Sequence, residues 1–98
     1  MQLSVSSRHV EVPDEIKEYA ETKAGKLPRF HDRISSIEFI LDQEKDLWTA
    51  EIIVKADGSH EFVASDSGPD RYALIDAIID KVERQLTRHK ERIHDHRS

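Results

Sequence analysis

Four cations stand three and four residues apart near the end of the chain: Lys81, Arg84, Arg88 and Arg92. At about 100° per helical residue they fall within an arc of roughly 80°. Such a row is chemistry for phosphate, because Arg forks bond phosphate oxygens in pairs and Lys acts as a point charge. Lys23, Lys26 and Arg29 make a second basic patch earlier on. Two other constellations compete with this reading. Asp76 and Asp80 have the one-turn spacing of an acid–base pair, but beside Lys and Arg on an exposed flank they serve as charge balance. His94-Asp95-His96 has the donors of a transition-metal chelate, yet terminal histidines are ordinarily solvated and no ordered fourth ligand stands near. There is no nucleophile–base set, and the three glycines are isolated rather than gathered into a phosphate loop. The expectation is a binding protein, not an enzyme, with no cofactor, no metal and no small-molecule substrate.

The row needs a helix to align it. The stretch 70–92 holds neither Gly nor Pro, and Tyr72, Ile75, Ile79, Val82, Leu86 and Ile93 recur at helical period. That stripe predicts one buried side with the cations opposite it and Asp76, Asp80, Glu83 and Glu91 on the flank between. Charged helix faces are commonly just solvated, and Asp80 with Arg84 forms a spacing-four pair. From the helix alone, solvated surface is the plainer reading of the row.

Earlier in the chain, Gln2–Arg8 alternates as a short strand with Leu3 and Val5 on one side. Pro13 suits a helix start, followed by Asp14 and Glu15 at its positive end. That helix is predicted to run to about Leu27, where Pro28 stops it, with Ile16, Ala20, Ala24 and Leu27 buried and Phe30 tucked in behind. Three strands follow over 33–42, 47–56 and 59–67. Ile37, Phe39 and Leu41 face inward in the first and Trp48, Ala50, Ile52, Val54 and Ala56 in the second. Phe62 and Ala64 do so in the third. Asp57-Gly58 is a hairpin signal of the primed-turn type. Trp48 and Tyr72 have rings that stack on bases, but their spacing assigns both to the core.

The order β-α-β-β-β-α predicts an α+β domain. Its four-stranded sheet begins with a parallel pair joined through the first helix, and both helices cover one face. Side by side, those helices are expected to merge Lys23, Lys26 and Arg29 with the row of the second helix. One domain over 1–93 is expected, with 94–98 a short flexible tail.

The 98 residues carry a net charge of −5. Residues 1–70 hold 8 Lys/Arg against 15 Asp/Glu, or −7, whereas residues 71–98 hold 7 against 5, or +2. A contact site responds to the field within about a Debye length, so an acidic body with a basic helix stays compatible with RNA. The chain has no cysteine, no signal-peptide layout and no apolar run of membrane-spanning length, so a cytoplasmic protein without membrane contact is expected.

One stretch carries a resemblance: Asp70-x-Tyr72-Ala73-x-Ile75-Asp76-x-x-Ile79-Asp80-Lys81-x-x-Arg84-Gln85-Leu86-x-x-His89-Lys90. Met1-Gln-Leu, Lys23-x-x-Lys26-Leu27, Asp32-Arg33-Ile34 and Ala64-Ser65 follow in the same order. Over residues 1 to about 93 the chain resembles the ribosome hibernation-promoting factor family, also described as ribosome-associated inhibitor or sigma-54 modulation proteins. The resemblance implies a domain similar in layout to double-stranded-RNA-binding domains. It implies binding to the small ribosomal subunit in the channel for messenger and transfer RNA, which silences idle ribosomes in stationary phase or stress. Matched residue by residue, Lys23, Lys26, Lys81, Arg84, Arg88, Lys90 and Arg92 fall on basic slots of that family's pattern, and helix geometry adds Arg29. The length is similar to the short type, which forms inactive ribosome dimers together with a separate modulation factor and is expected to be monomeric off the ribosome. The functional alternative is a protein-binding regulatory module, for example of a transcription factor, that uses its acidic surface.

Overall fold

In the computed structural model the chain is described for residues 1–29, 33–58 and 60–95, with side chains through His89. The order is β1 (Gln2–Ser7), α1 (Asp14–Ala24), a 3-10 turn (Leu27–Arg29), β2 (Ile34–Glu44), β3 (Leu47–Ala56), β4 (His60–Gly68) and α2 (Arg71–Asp95). The strands lie in the order β1-β2-β3-β4. β1 runs parallel to β2, with Leu3 opposite Ile37, and the remaining pairs are antiparallel. This is the expected α+β architecture, and period-two alternation is its cause. Ile37, Phe39 and Leu41 of β2, Trp48 through Ala56 at every second position of β3, and Phe62 and Ala64 of β4 are buried. They join Ile16, Ala20 and Ala24 of α1 and the apolar side of α2 in one cluster on one face of the sheet.

Four local expectations are corrected. α1 ends at Ala24, short of Leu27, and Pro28 sits inside the 3-10 turn rather than ending the helix. Its start also shifts by one: Pro13 takes the N-cap position and offers no side-chain cap, so two amides bond only to its carbonyl. Alternation alone puts Ile34 on the outer face with Ser36, but a register shift between them pairs Ile34 with buried Ala56 and turns it onto the core. The turn after β2 is shorter than expected, because the ladder continues to Glu44–Leu47 and leaves Lys45 at φ 58°. At the Asp57-Gly58 turn both residues take positive φ, 51° and 79°, as read, but Ala56 pairs with His60, so the connection is three residues long and not two. Phe30 lies outside the described residues. Among the described residues no helix is long and apolar enough to cross a membrane.

Candidate nucleic-acid interface

The rotation of α2 about its axis decides where every cation points. Asp70 fixes the start of the helix by accepting from the amides of Tyr72 (3.0 Å) and Ala73 (3.2 Å). Leu74, Ile75, Ile78, Ile79, Val82 and Leu86 are then buried. Leu74 and Ile78 were not in the predicted stripe, and Tyr72, which was, is 36% exposed. The buried arc therefore turns toward β3 and β4, and the basic row flanks it instead of lying opposite.

That rotation brings Lys81 to the outer edge of β4. Its ammonium donates to the Ser65 carbonyl at 3.2 Å and pairs with Asp66 at 3.1 Å. One turn on, Gln85 donates to the Val63 carbonyl at 2.9 Å. The two side chains satisfy carbonyls that an edge strand leaves unpaired. Asp66 is held below the usual carboxylate range, first by the Ser67 amide and then by Lys81. Arg84 pairs with Asp80 at 2.9 Å while remaining 70% exposed, and Arg88 is exposed with no ion pair among the described residues. The helix carries the backbone of Lys90 and Arg92 onward, and their side chains lie outside the described residues. So do those of His94 and Asp95 and the whole of His96.

The first patch departs from a different flank. Lys23 lies 3.6 Å from Asp76 and 5.5 Å from the centre of the Tyr19 ring. Tyr19 donates its hydroxyl to Asp76 at 2.6 Å, and this bond to a carboxylate, with some burial, pushes the phenol up to about 12. Glu83 is raised, first by loss of solvent and then by Asp80, with Lys23 acting against the rise. Lys26 and Arg29 are exposed, just past α1 and in the 3-10 turn. Asp76 and Lys81 are about 140° apart around α2. Lys23 therefore meets one side of that helix while Lys81 reaches the other, with Asp80 and Glu83 on the arc between Arg84 and α1. The expected continuous ridge is not formed. The cations make two groups, Lys23-Lys26-Arg29 and Lys81-Arg84-Arg88, separated by carboxylates.

Trp48 is in the core, as its alternation implies, at 7% exposure. Arg71, which the sequence reading passed over, sets its guanidinium over the Trp48 ring at 5.6 Å. His89 is 3.0 Å from Asp57, tying α2 to the β3–β4 turn, and its ring lies 4.6 Å from that of His60. Asp76 and Asp80 are both engaged by the contacts described above. The arrangement as a whole offers exposed, partly paired cations on a rigid two-helix layer, which suits phosphate recognition by backbone and shape.

A two-layer α+β domain displaying charged helices is the class that fold and surface define. Residues 3–94 match the model of the family described as sigma 54 modulation protein / S30EA ribosomal protein, and the chain belongs to that family. It is similar to the ribosome hibernation promoting factor of Escherichia coli (strain K12), at 38% identity over 98% of this chain and 100% of that protein. The factor of the same name from Azotobacter vinelandii is also 38% identical, over 94% of this chain and 85% of that one. Among solved structures, a ribosomal subunit interface protein from Coxiella burnetii superposes with a TM-score of 0.80 at 28% identity, covering 93% of this chain and 99% of that one. The N-terminal domain of Thermus thermophilus Protein Y gives 0.77 at 30% identity, over 90% and 94% of the two chains.

Proposed function

We propose that the protein is a ribosome hibernation factor that acts by binding and not by catalysis. It occupies the messenger and transfer RNA channel of the small subunit, blocks translation, and favours inactive ribosome dimers. The observation that carries this reading is the exposed set Arg84 and Arg88 on α2, whose other side is fixed in the core, with Lys26 and Arg29 in the turn that follows α1. The names of the full-length relatives point to the same partner. The site is built of Lys23, Lys26, Arg29, Lys81, Arg84, Arg88, Lys90 and Arg92, contacting ribosomal RNA phosphates. Inhibition then needs only occupancy.

The test is a sucrose-gradient profile of purified ribosomes with and without the protein, at low and high salt. The protein is expected in the small-subunit fractions at low salt and free at high salt, since each neutralised phosphate releases counterions. A variant with Lys26, Arg29, Arg84 and Arg88 all changed to Glu is expected to stay at the top of the gradient while keeping its circular dichroism spectrum. Co-migration of that variant at wild-type strength would refute the RNA-facing assignment and favour a partner that reads the acidic surface.

A further inference from the structure

Rings and cations alternate from Trp48 of β3 past the start of α2 to α1. The Arg71 guanidinium sits 5.6 Å from the centre of Trp48 and 5.9 Å from that of Tyr72. The Tyr72 and Tyr19 rings meet edge to face, 4.9 Å apart at 84°. Lys23 closes the series, 5.5 Å from the Tyr19 ring. Trp48 is buried, whereas Tyr72 keeps 36% of its surface in water. An aromatic left open at this level of a helix that has six aliphatic residues buried beside it adds little to the core.

Its surroundings are nonetheless rigid. Tyr19 is pinned through its hydroxyl to Asp76 at 2.6 Å, and Asp70 takes the amide of Tyr72 itself. A ring held this way loses little further freedom when a second ring is laid on it. Arg71 and Lys23 bracket the two tyrosines with positive charge. Asp70 and Asp76 stay charged beside the rings, so Lys23 exchanges Asp76 for a phosphate, which their exposed 3.6 Å pair opposes only weakly. Aromatic rings flanked by cations are what unpaired RNA bases recognise.

We propose that Tyr72 is the stacking platform for one unpaired RNA base, with Arg71 and Lys23 holding its flanking phosphates. This rests on the RNA-binding reading above and adds a contact that charge alone does not supply. Three proteins are compared in ribosome co-sedimentation across a salt series: wild type, Tyr72→Phe and Tyr72→Leu. Tyr72→Phe keeps the ring and binds like wild type. Tyr72→Leu keeps apolar bulk without the ring and binds roughly tenfold more weakly or worse, with an unchanged slope of log Kd against log salt, because no ion pair is lost. A photoreactive phenylalanine analogue at position 72 gives a readout independent of any effect of Leu on folding, and it is expected to cross-link to ribosomal RNA. Equal binding by Tyr72→Leu, or cross-linking to ribosomal protein alone, overturns the platform while leaving the salt-dependent RNA reading standing. Failure of wild type to bind ribosomes overturns both.

Discussion

Removing Arg84 and Arg88 together, by Arg84→Ala with Arg88→Ala, tests the interface at the positions least entangled with folding. Among the described residues, Arg84 is 70% exposed and pairs with Asp80 in its own helix, and Arg88 is exposed without an ion pair. A charge-assisted hydrogen bond contributes about 1.5–3 kcal/mol. Arg84 must first leave Asp80, and a spacing-four pair of this kind is worth about 0.3–0.5 kcal/mol, a small deduction. The two losses together come to about 2.5–5.7 kcal/mol, or roughly two to four orders of magnitude in Kd. The salt dependence carries the sharper signature. Each phosphate contact contributes about 0.7–0.9 to the slope of log K against log salt, so the double variant should be flatter by roughly 1.4–1.8. Co-sedimentation with small subunits at four or five potassium chloride concentrations measures both quantities. Replacing the same pair by Lys should restore most of the slope but less of the affinity, because charge is kept and the bidentate fork is lost. Stability should move by no more than about 0.5 kcal/mol per site. A double Ala variant with the wild-type slope would refute the assignment of these two residues to RNA, whatever its affinity.

Two further outcomes follow from the same coordinates. Ile78→Ala removes a fully buried side chain and should cost about 2–5 kcal/mol in urea unfolding, more than Ile79→Ala at the edge of the buried arc; the reverse order would mean that α2 is rotated. A spectrophotometric titration should show Tyr19 ionising near 12, and Asp76→Asn should lower that value by removing the carboxylate that holds the phenol neutral. Because the folded pKa is raised from 10.0, the stabilisation from this bond is complete below about pH 10 and disappears as pH rises through 12; ionisation of Tyr19 near 10 would contradict the Tyr19–Asp76 contact.

The parts of the fold legible in the sequence are those set by local period. The bounds of β3, the inward sets of β2, β3 and β4, and the positive φ of Asp57 and Gly58 all follow from alternation and backbone preference. What the sequence hid was set by contacts between elements. The apolar side of α2 reads as centred between Ile79 and Val82, but the helix lies against both β3 and β4, so Leu74 and Ile78 are drawn under and Tyr72 is lifted out. A local pattern cannot choose between adjacent apolar columns when a helix has more than it needs. Ile34 escaped because a single register shift reverses the side on which a residue lies, and nothing in Ile34-Ser35-Ser36 announces it. For the site, the Asp80–Arg84 pair is visible from spacing. The Lys81–Asp66 and Lys23–Asp76 pairs join positions 15 and 53 residues apart and exist only once the layers are stacked.

These pairs change how a cationic surface on an acidic protein should behave. On the proposed reading, Lys23, Lys81 and Arg84 do not wait in open solvent; each already has a carboxylate, and binding RNA means exchanging that partner for a phosphate. Exposed ion pairs of this type hold with less than about 1 kcal/mol, so a well-placed phosphate displaces them, bidentate at Arg84 and as a point contact at Lys23 and Lys81, but a stray and poorly aligned phosphate gains little from doing so. The net charge of −5 adds a long-range penalty for any polyanion approaching the rest of the body. Weak, single-phosphate encounters are therefore suppressed, whereas a cleft that presents several phosphates at the right spacing satisfies all the cations in one step. On this account the acidic composition does not argue against an RNA partner. It filters out loosely matched RNA and leaves the one whose shape fits both helices.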